Sequence, residues 1–400
     1  MKTQEVRVQK INTHAIPQAI KQVGADRIGQ KIMSKKSQIL GFEIKDLSFE
    51  ALNILKQEAL SIGGDCATPR GCIKHQGEKK AILIMTHAQL EKLIHKLAYQ
   101  PFGLKDLRLK LKAHLDSIPC HTERSEVSHK ESKADSKIRA SVMAIVNVTP
   151  DSFYASSRKD TQGAKDRIHA LLAKEVGIID IGGASSRPGS EQLIDSQSEI
   201  MRLKPVIEYI HTNKLYEKAE FSIDTYNPKT ADYALSKGFT IINDISGFAD
   251  EQMFEVAQKH KAKVILMHSK GTPKTMQNLT QYDDIFAEID SFFAKKIEKC
   301  KAYNIQNIIL DIGFGFAKTT SQNLALIKHL SHFLHFGFPL LVGASRKTTI
   351  GEITGRDTQD RLAGSLALHL CALQNGASIL RMHDEDAHID MIKIYKALYE

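Results

Sequence analysis

From residue 142 onward, short apolar runs alternate with longer stretches whose apolar residues recur every three or four positions. The runs cover residues 142–148, 178–181, 221–224, 240–244, 263–267, 307–311, 340–342 and 378–381. A continuous apolar run of this length, bounded by turn residues, fits a strand buried on both faces. Eight such strands, with helical stretches between them and one after the last, predict a (β/α)8 barrel, a fold of about 250 residues. A doubly wound open sheet is the competing arrangement. It usually has fewer strands and a glycine fingerprint after the first, and neither holds here.

Before the barrel the pattern differs. Leu52, Leu55, Ala59 and Ile62 recur at helical spacing, and Gly63-Gly64 predicts the end of that helix. Residues 81–85 (AILIM) predict a strand. Thr86 and Gln89 form a capping-box pattern ahead of Leu90, Leu93, Ile94 and Leu97 on one helical face. Residues 117–138 are dense in Ser, Lys and Glu and nearly lack large apolar residues, so they read as a flexible linker. The expected organisation is a small α/β domain over 1–116, a linker over 117–138 and the barrel over 139–400. The fold class is α/β, a TIM barrel preceded by a small α/β N-terminal domain.

Composition adds limits. Apolar residues make up 42% and charged residues 25% of the chain, which excludes disordered, collagen-like and fibrous classes. No apolar run approaches the ~20 residues of a membrane helix, and the first ten residues, MKTQEVRVQK, lack an apolar leader segment. No membrane partner and a cytoplasmic location are therefore expected. The five cysteines are scattered with no CxxC, the usage of free thiols in a reducing compartment.

The net formal charge of +9 suggests an anionic partner at first sight. Residues 1–138 hold 24 of the 55 basic residues and 15 of the 46 acidic ones, which accounts for the whole excess. The basic residues there are scattered, without interleaved aromatics, and read as a solvated surface more readily than as a nucleic-acid site. The barrel is neutral overall. Attraction for an anion there must come from single placed cations, with Arg187, Lys347, Arg381 and Lys318 as candidates.

Every predicted strand ends in polar residues, where a (β/α)8 barrel keeps its site. The first runs into Asn147 and the second ends at Asp180, with Ser185-Ser186-Arg187-Pro188-Gly189 beyond it. The next three end at Asp224-Thr225, Asn243-Asp244 and His268. The last three lead to Asp311 with Gly313-Phe314-Gly315-Phe316, to Ser345-Arg346-Lys347, and to Arg381-Met382-His383. One Asp or Asn at a strand end is as readily a turn cap as a ligand. Eight of eight is not turn chemistry. Asp224, Asn243 and Asp311 suit a flat heterocycle with a guanidine-like edge, because a carboxylate accepts two parallel N–H bonds. Arg187, Lys347, Arg381 and His383 suit anionic oxygens, and Asn147 suits Mg²⁺ shared with phosphate. Phe314 and Phe316 offer an aromatic wall, against the plainer reading of core packing, and for Phe314 the two readings stand equal.

These segments resemble the dihydropteroate synthase family. NVTPDSF (147–153), DIGGASSRPG (180–189), SIDT (222–225), IIND (241–244), VILMHSKGTPKTMQ (264–277), LDIGFGFAK (310–318), VGASRK (342–347) and ILRMH (379–383) look like its motifs in order, over about residues 140–400. The resemblance implies a pterin-binding barrel that joins a dihydropterin-methyl diphosphate to 4-aminobenzoate in folate synthesis, the step that sulfonamides target. It implies that Asp224, Asn243, Met267, Asp311 and Lys347 hold the pterin. Asn147, Arg381 and His383 would hold the diphosphate, Asn147 with Mg²⁺. Ser186, Arg187, Pro188, Phe316 and Ser345 would take the aminobenzoate. Lys347, Asp311, Arg381 and His383 would carry the catalytic work. The implied partners are these small-molecule substrates, with a homodimer through the barrel helices.

Ser186, Ala184, Ile312 and Ala317 depart from the family's usual Thr, Glu, Pro and Gly, and Tyr154-Ala155-Ser156-Ser157 replaces its usual turn. Ala317 should stiffen the Phe316 loop, since glycine would leave positive φ open. A pterin-binding methyltransferase acting on a methylated folate and a corrinoid protein shares the pterin-holding residues. It has no need of the Ser-Ser-Arg-Pro, Ser-Arg-Lys and Arg-Met-His segments. A silent scaffold barrel would have no need of Asn147, Asp224, Asn243, Asp311 and Lys347.

Overall fold

A computed structural model of the chain describes residues 8–117, 140–148, 156–183, 195–271 and 275–399. Almost all of the expected linker, with Ser186, Arg187 and Pro188, lies outside the described residues. The described residues form two compact units.

The first unit carries a three-stranded antiparallel sheet, β1 (Ile39–Lys45), β2 (Asp65–Ala67) and β3 (Lys80–Thr86), in the order β1-β3-β2. The helices Phe49–Ser61, His87–Leu97 and Leu104–Ser117 accompany it. Their apolar faces supply Leu52, Leu55, Ala59, Leu90, Leu93, Leu97, Leu107 and Leu111, which close a core with Leu83 of the sheet. The Thr86–Gln89 capping box forms: the Thr86 N–H donates to Gln89 Oε1 at 2.8 Å and the Gln89 N–H to Thr86 Oγ1 at 3.4 Å. Gly63, at φ +78, follows the first of these helices as expected. β1, β2 and the helices Ile16–Gln22, Arg27–Ser34 and Leu104–Ser117 escaped the sequence reading. β1 alternates between covered Leu40, Phe42 and Ile44 and exposed neighbours, but the apolar Ile39 and Gly41 on its exposed side hide that alternation in the sequence.

The second unit is a closed barrel of eight parallel strands. They are β4 (Ser141–Asn147), β5 (Ile178–Gly182), β6 (Glu220–Asp224), β7 (Ile241–Asp244), β8 (Lys263–Met267), β9 (Ile308–Asp311), β10 (Leu340–Val342) and β11 (Ala377–Met382). β11 pairs with β4, and β10 bridges β9 and β11 to close the ring. All eight predicted strands are present. The helices between them present one apolar face each: Leu203, Val206, Ile207 and Ile210 in Ser196–Thr212, for example, are buried. No helix among the described residues is long and apolar enough to cross a membrane.

Candidate active site

Side chains alternate along a strand, so every second residue faces the barrel interior. Met143, Ile178, Ile241, Ile265, Ile309, Leu341 and Ile379 pack together there as an apolar floor. Two residues further along the same strands stand Asp180, Asn243, Met267, Asp311 and Arg381. The sequence thus builds a polar layer on an apolar one, at the C-terminal end of the barrel. Neighbouring strands align Asn147, Gly182, Asp224 and Asn243 in one row of the ladder.

Arg381 is the centre of this layer. Its Nε donates to Asp180 Oδ2 at 2.7 Å and its Nη2 to Asp224 Oδ2 at 2.6 Å. Asp180 Oδ2 also accepts from Asn243 Nδ2 at 3.1 Å, while Asp180 Oδ1 is buried without a hydrogen-bond partner. Burial works against the charge on Arg381, but Asp180 and Asp224 outweigh it and hold its pKa above the ordinary value. Burial pushes the Asp224 carboxyl up to about 7. Arg381 opposes this, and the like charge of Asp180 adds to it. Asp311 accepts the Gly313 N–H at 2.8 Å, and burial raises its pKa as well.

Lys347 stands across from these carboxylates, its Nζ 4.2 Å from the centre of the Phe316 ring. Burial and the Arg381 charge push its pKa down to about 8. Phe316 packs with Met267, Met276 and Ala317. Gly315, at φ +83, would place a Cβ 3.3 Å from Lys347 Cδ, so the bare backbone lets the lysine lie over this turn. Phe314 is buried, which decides between its two readings in favour of core.

Lys318 corrects an expectation. It is no free cation for a substrate. Its Nζ sits 3.0 Å from His268 Nδ1 and donates to the carbonyls of Gly313 (3.0 Å), Phe316 (3.0 Å) and His268 (3.2 Å). Burial pushes its pKa down to about 7 and that of His268 to about 2. The lysine ties the turn after β9 to the end of β8.

The turns after β10 and β11 are joined. Ser345 Oγ accepts the His383 backbone N–H at 3.3 Å and lies 3.2 Å from His383 Nδ1. With the hydroxyl proton given to Nδ1, the imidazole proton sits on Nε2. The ring reaches the surface, yet the crowded mouth and the Arg381 charge push its pKa down to about 4. Arg346, at φ +56, forks onto Asp384 at 2.8 and 2.6 Å and donates to the carbonyls of Thr358 and Gln359. Beneath, the Ala344 N–H donates to His369 Nε2 at 2.9 Å. His369 Nδ1 meets His388 Nε2 at 2.7 Å, and His388 Nδ1 donates to the Asp384 carbonyl at 2.7 Å.

The structure brings Asp224, Asn243, Met267, Asp311, Phe316, Ser345, Lys347, Arg381 and His383 to one end of the barrel, with Asn147 exposed at the end of β4. It separates Asp244 from them, because its oxygens accept the Ser246 and Phe248 N–H groups of the following turn. The residue missed was Asp180, which holds both Arg381 and Asn243. Its signal was its place two residues past Ile178, in phase with the other site positions.

A layer of carboxylates and an amide, with a guanidinium and an ammonium, at the mouth of a (β/α)8 barrel suits a flat nitrogen heterocycle bearing an anion. Residues 143–383 match the family described as pterin binding enzyme, and the chain belongs to it. A bifunctional dihydropteroate synthase/dihydropteroate reductase of Helicobacter pylori is 51% identical over 98% of this chain and 99% of its own length. The dihydropteroate synthase of a Synechocystis strain is 40% identical over 65% of this chain and 91% of its own. A crystal structure of the Yersinia pestis dihydropteroate synthase in complex with a sulfonamide drug has a TM-score of 0.60 and 36% identity. It covers 65% of this chain and 94% of that one. Within the pterin binding enzymes, the chain is a member of the dihydropteroate synthases.

Proposed function

We infer that the chain joins (7,8-dihydropterin-6-yl)methyl diphosphate to 4-aminobenzoate and releases diphosphate. The observation that carries this is the polar layer itself, in which Asp224, Asn243 and Asp311 converge with Lys347 and Arg381 above an apolar floor. The aniline nitrogen forms a bond to the pterin methylene carbon. The carbon–oxygen bond breaks, and the diphosphate leaves with the electron pair. Asp311 and Asn243 hold the ring, whose electrons support positive charge growing on the methylene. The nucleophile is neutral and loses its proton after attack, so no strong base is required. Arg381 and the His383 Nε2–H stabilise charge on the leaving group.

Asn147 offers an exposed amide oxygen that faces Asp224 Oδ2 across Gly182. A single hard oxygen at an open mouth fits Mg²⁺ held mostly by diphosphate and water. Asn147 would be its protein ligand, and the ion would supply positive charge to the departing oxygens. Ser186, Arg187 and Pro188 remain the proposed aminobenzoate side, with Phe316 and Ser345.

The test is diphosphate release by Lys347→Ala and Asp311→Ala. Each is expected to lose at least about 100-fold in turnover, about 2.7 kcal/mol of barrier, with an unchanged thermal transition. Near-normal turnover in either variant sinks the assignment.

One observation favours a second activity. The synthases of ordinary length cover about 65% of this chain, whereas the bifunctional relative covers 98%. The first third of the chain thus has a counterpart in the bifunctional protein. We propose that the chain also reduces the dihydropteroate it makes to the tetrahydro form, taking a hydride from reduced nicotinamide or flavin and a proton from water. Dihydropteroate-dependent oxidation of either donor is the expected result, and its absence with both donors removes the proposal.

A further inference from the structure

Arg381 and the pterin make the same demand on Asp224. The Nη2–H of the guanidinium already occupies Asp224 Oδ2 at 2.6 Å, and the proposed function places the ring's guanidine-like N–H edge on that carboxylate. Arg381 also has a second anchor, Asp180 Oδ2 on Nε at 2.7 Å. Nε and Nη2 lie on one side of a guanidinium and together make the two-pronged fork that carboxylates accept best. Here that fork is split between two carboxylates. Asp180 meanwhile keeps Oδ1 buried with no partner. The structure therefore contains one acceptor held by the wrong donor and one acceptor held by none.

We infer that the pterin takes Asp224 from Arg381, and that the released Nη2 closes onto Asp180 Oδ1. The side-on fork is then complete on a single carboxylate, and the outer Nη1 end is turned to the diphosphate. Asp180 is the positioning residue of this exchange. It never releases Nε, so the guanidinium pivots in place. This inference rests on the proposed function and deepens it.

The exchange couples the two halves of the substrate. Diphosphate alone must pull Arg381 from Asp224 and leave a buried carboxylate unpaired, which is unfavourable. The pterin ring alone moves Nη2 onto Asp180 and leaves the outer Nη1 end of the guanidinium with no anion to face. Together each ligand supplies the partner that the other removes, so each binds more tightly in the presence of the other, and by the same factor.

The test is calorimetry on the full chain at fixed Mg²⁺ with two probes, inorganic diphosphate and 6-hydroxymethyl-7,8-dihydropterin, which carries the ring without the diphosphate. In the wild type, the pterin alcohol is expected to tighten diphosphate binding at least tenfold, and the reverse. Asp224→Asn is expected to lose the pterin alcohol and yet bind diphosphate alone about tenfold more tightly than the wild type, because its arginine is already released. Asp180→Asn is expected to bind both probes with no coupling, while its turnover falls through kcat more than KM. A merely structural aspartate would weaken both probes together and leave their coupling intact. Independent binding of the two probes by a wild-type protein that turns over substrate overturns the exchange and leaves the proposed function standing. Weaker diphosphate binding in Asp224→Asn overturns it too. A wild type that binds neither probe overturns both readings.

Discussion

Ala317 holds φ +50, a conformation in which a β-carbon is strained by about 1–2 kcal/mol. The surroundings impose it: Lys318 ties the carbonyls on either side of the turn, and Tyr282 donates to the Ala317 carbonyl at 2.9 Å. Glycine would relieve the strain, but it removes a buried methyl worth about 0.8 kcal/mol and frees the unfolded chain by a further ~0.5–1 kcal/mol. The effects nearly cancel. Ala317→Gly should stay within about 1 kcal/mol of the wild type in urea unfolding. Ala317→Val, β-branched at positive φ, should lose more than about 2 kcal/mol. The sequence alone marked this residue as a departure from the family. It could not show that the turn keeps its shape regardless, because the tether is Lys318, a residue that reads from sequence as a substrate cation.

The strands were legible because a buried parallel strand is a short apolar run with polar ends, and each of the eight carries that mark. What single strands do not announce is the layering. Asp180 looks like any strand-end aspartate until Arg381 and Asn243, from two other strands, arrive beside it. The turns after β10 and β11 show the same limit, since His369 and His388 lie on helices and join only in three dimensions. Burial pushes the His369 pKa down to about 3, with the neighbouring His388 adding to it. Below the ordinary value near 6.5, the unfolded chain takes up a proton that the folded chain refuses. Stability therefore falls as pH drops from 6.5 toward 3. Between pH 7 and pH 5 the loss from this group should be about 2 kcal/mol. His369→Gln, which does not titrate, should flatten the pH profile of the urea midpoint over that range. An equally steep profile in the variant would assign the loss to other groups.

At the scale of the molecule, charge and length point to different parts of the chain. The excess of +9 lies before the barrel, and the barrel matches synthases that lack the first third altogether. Its proposed chemistry uses placed cations on a neutral unit. A chain beginning at residue 140 should accordingly keep the condensation within about threefold, as those shorter relatives have no further unit. The same truncation should abolish reduction of dihydropteroate if the first unit carries it. A truncated barrel that melts normally but no longer releases diphosphate would tie the two units into one machine. The basic surface suggested nucleic acid only in the average over the whole sequence. Its owner is a unit of its own, a three-stranded sheet with five α-helices among the described residues, which has its own apolar core.

Gly182 stands in the strand row between Asn147 and Asp224, and a Cβ there would meet Asn147 Oδ1, Asp224 Cβ and Asp224 Oδ2 at 3.5 Å each. Those are ordinary packing distances, so the protein itself has no quarrel with alanine at this position. Any intolerance of it must come from what occupies the mouth during turnover. In a population of variants grown without supplied folate, depletion at residue 182 would report selection by the substrate, whereas depletion at Leu203 or Phe293 would report selection by the fold. The bare α-carbon thus separates two kinds of fitness loss that sequence constraint ordinarily blends.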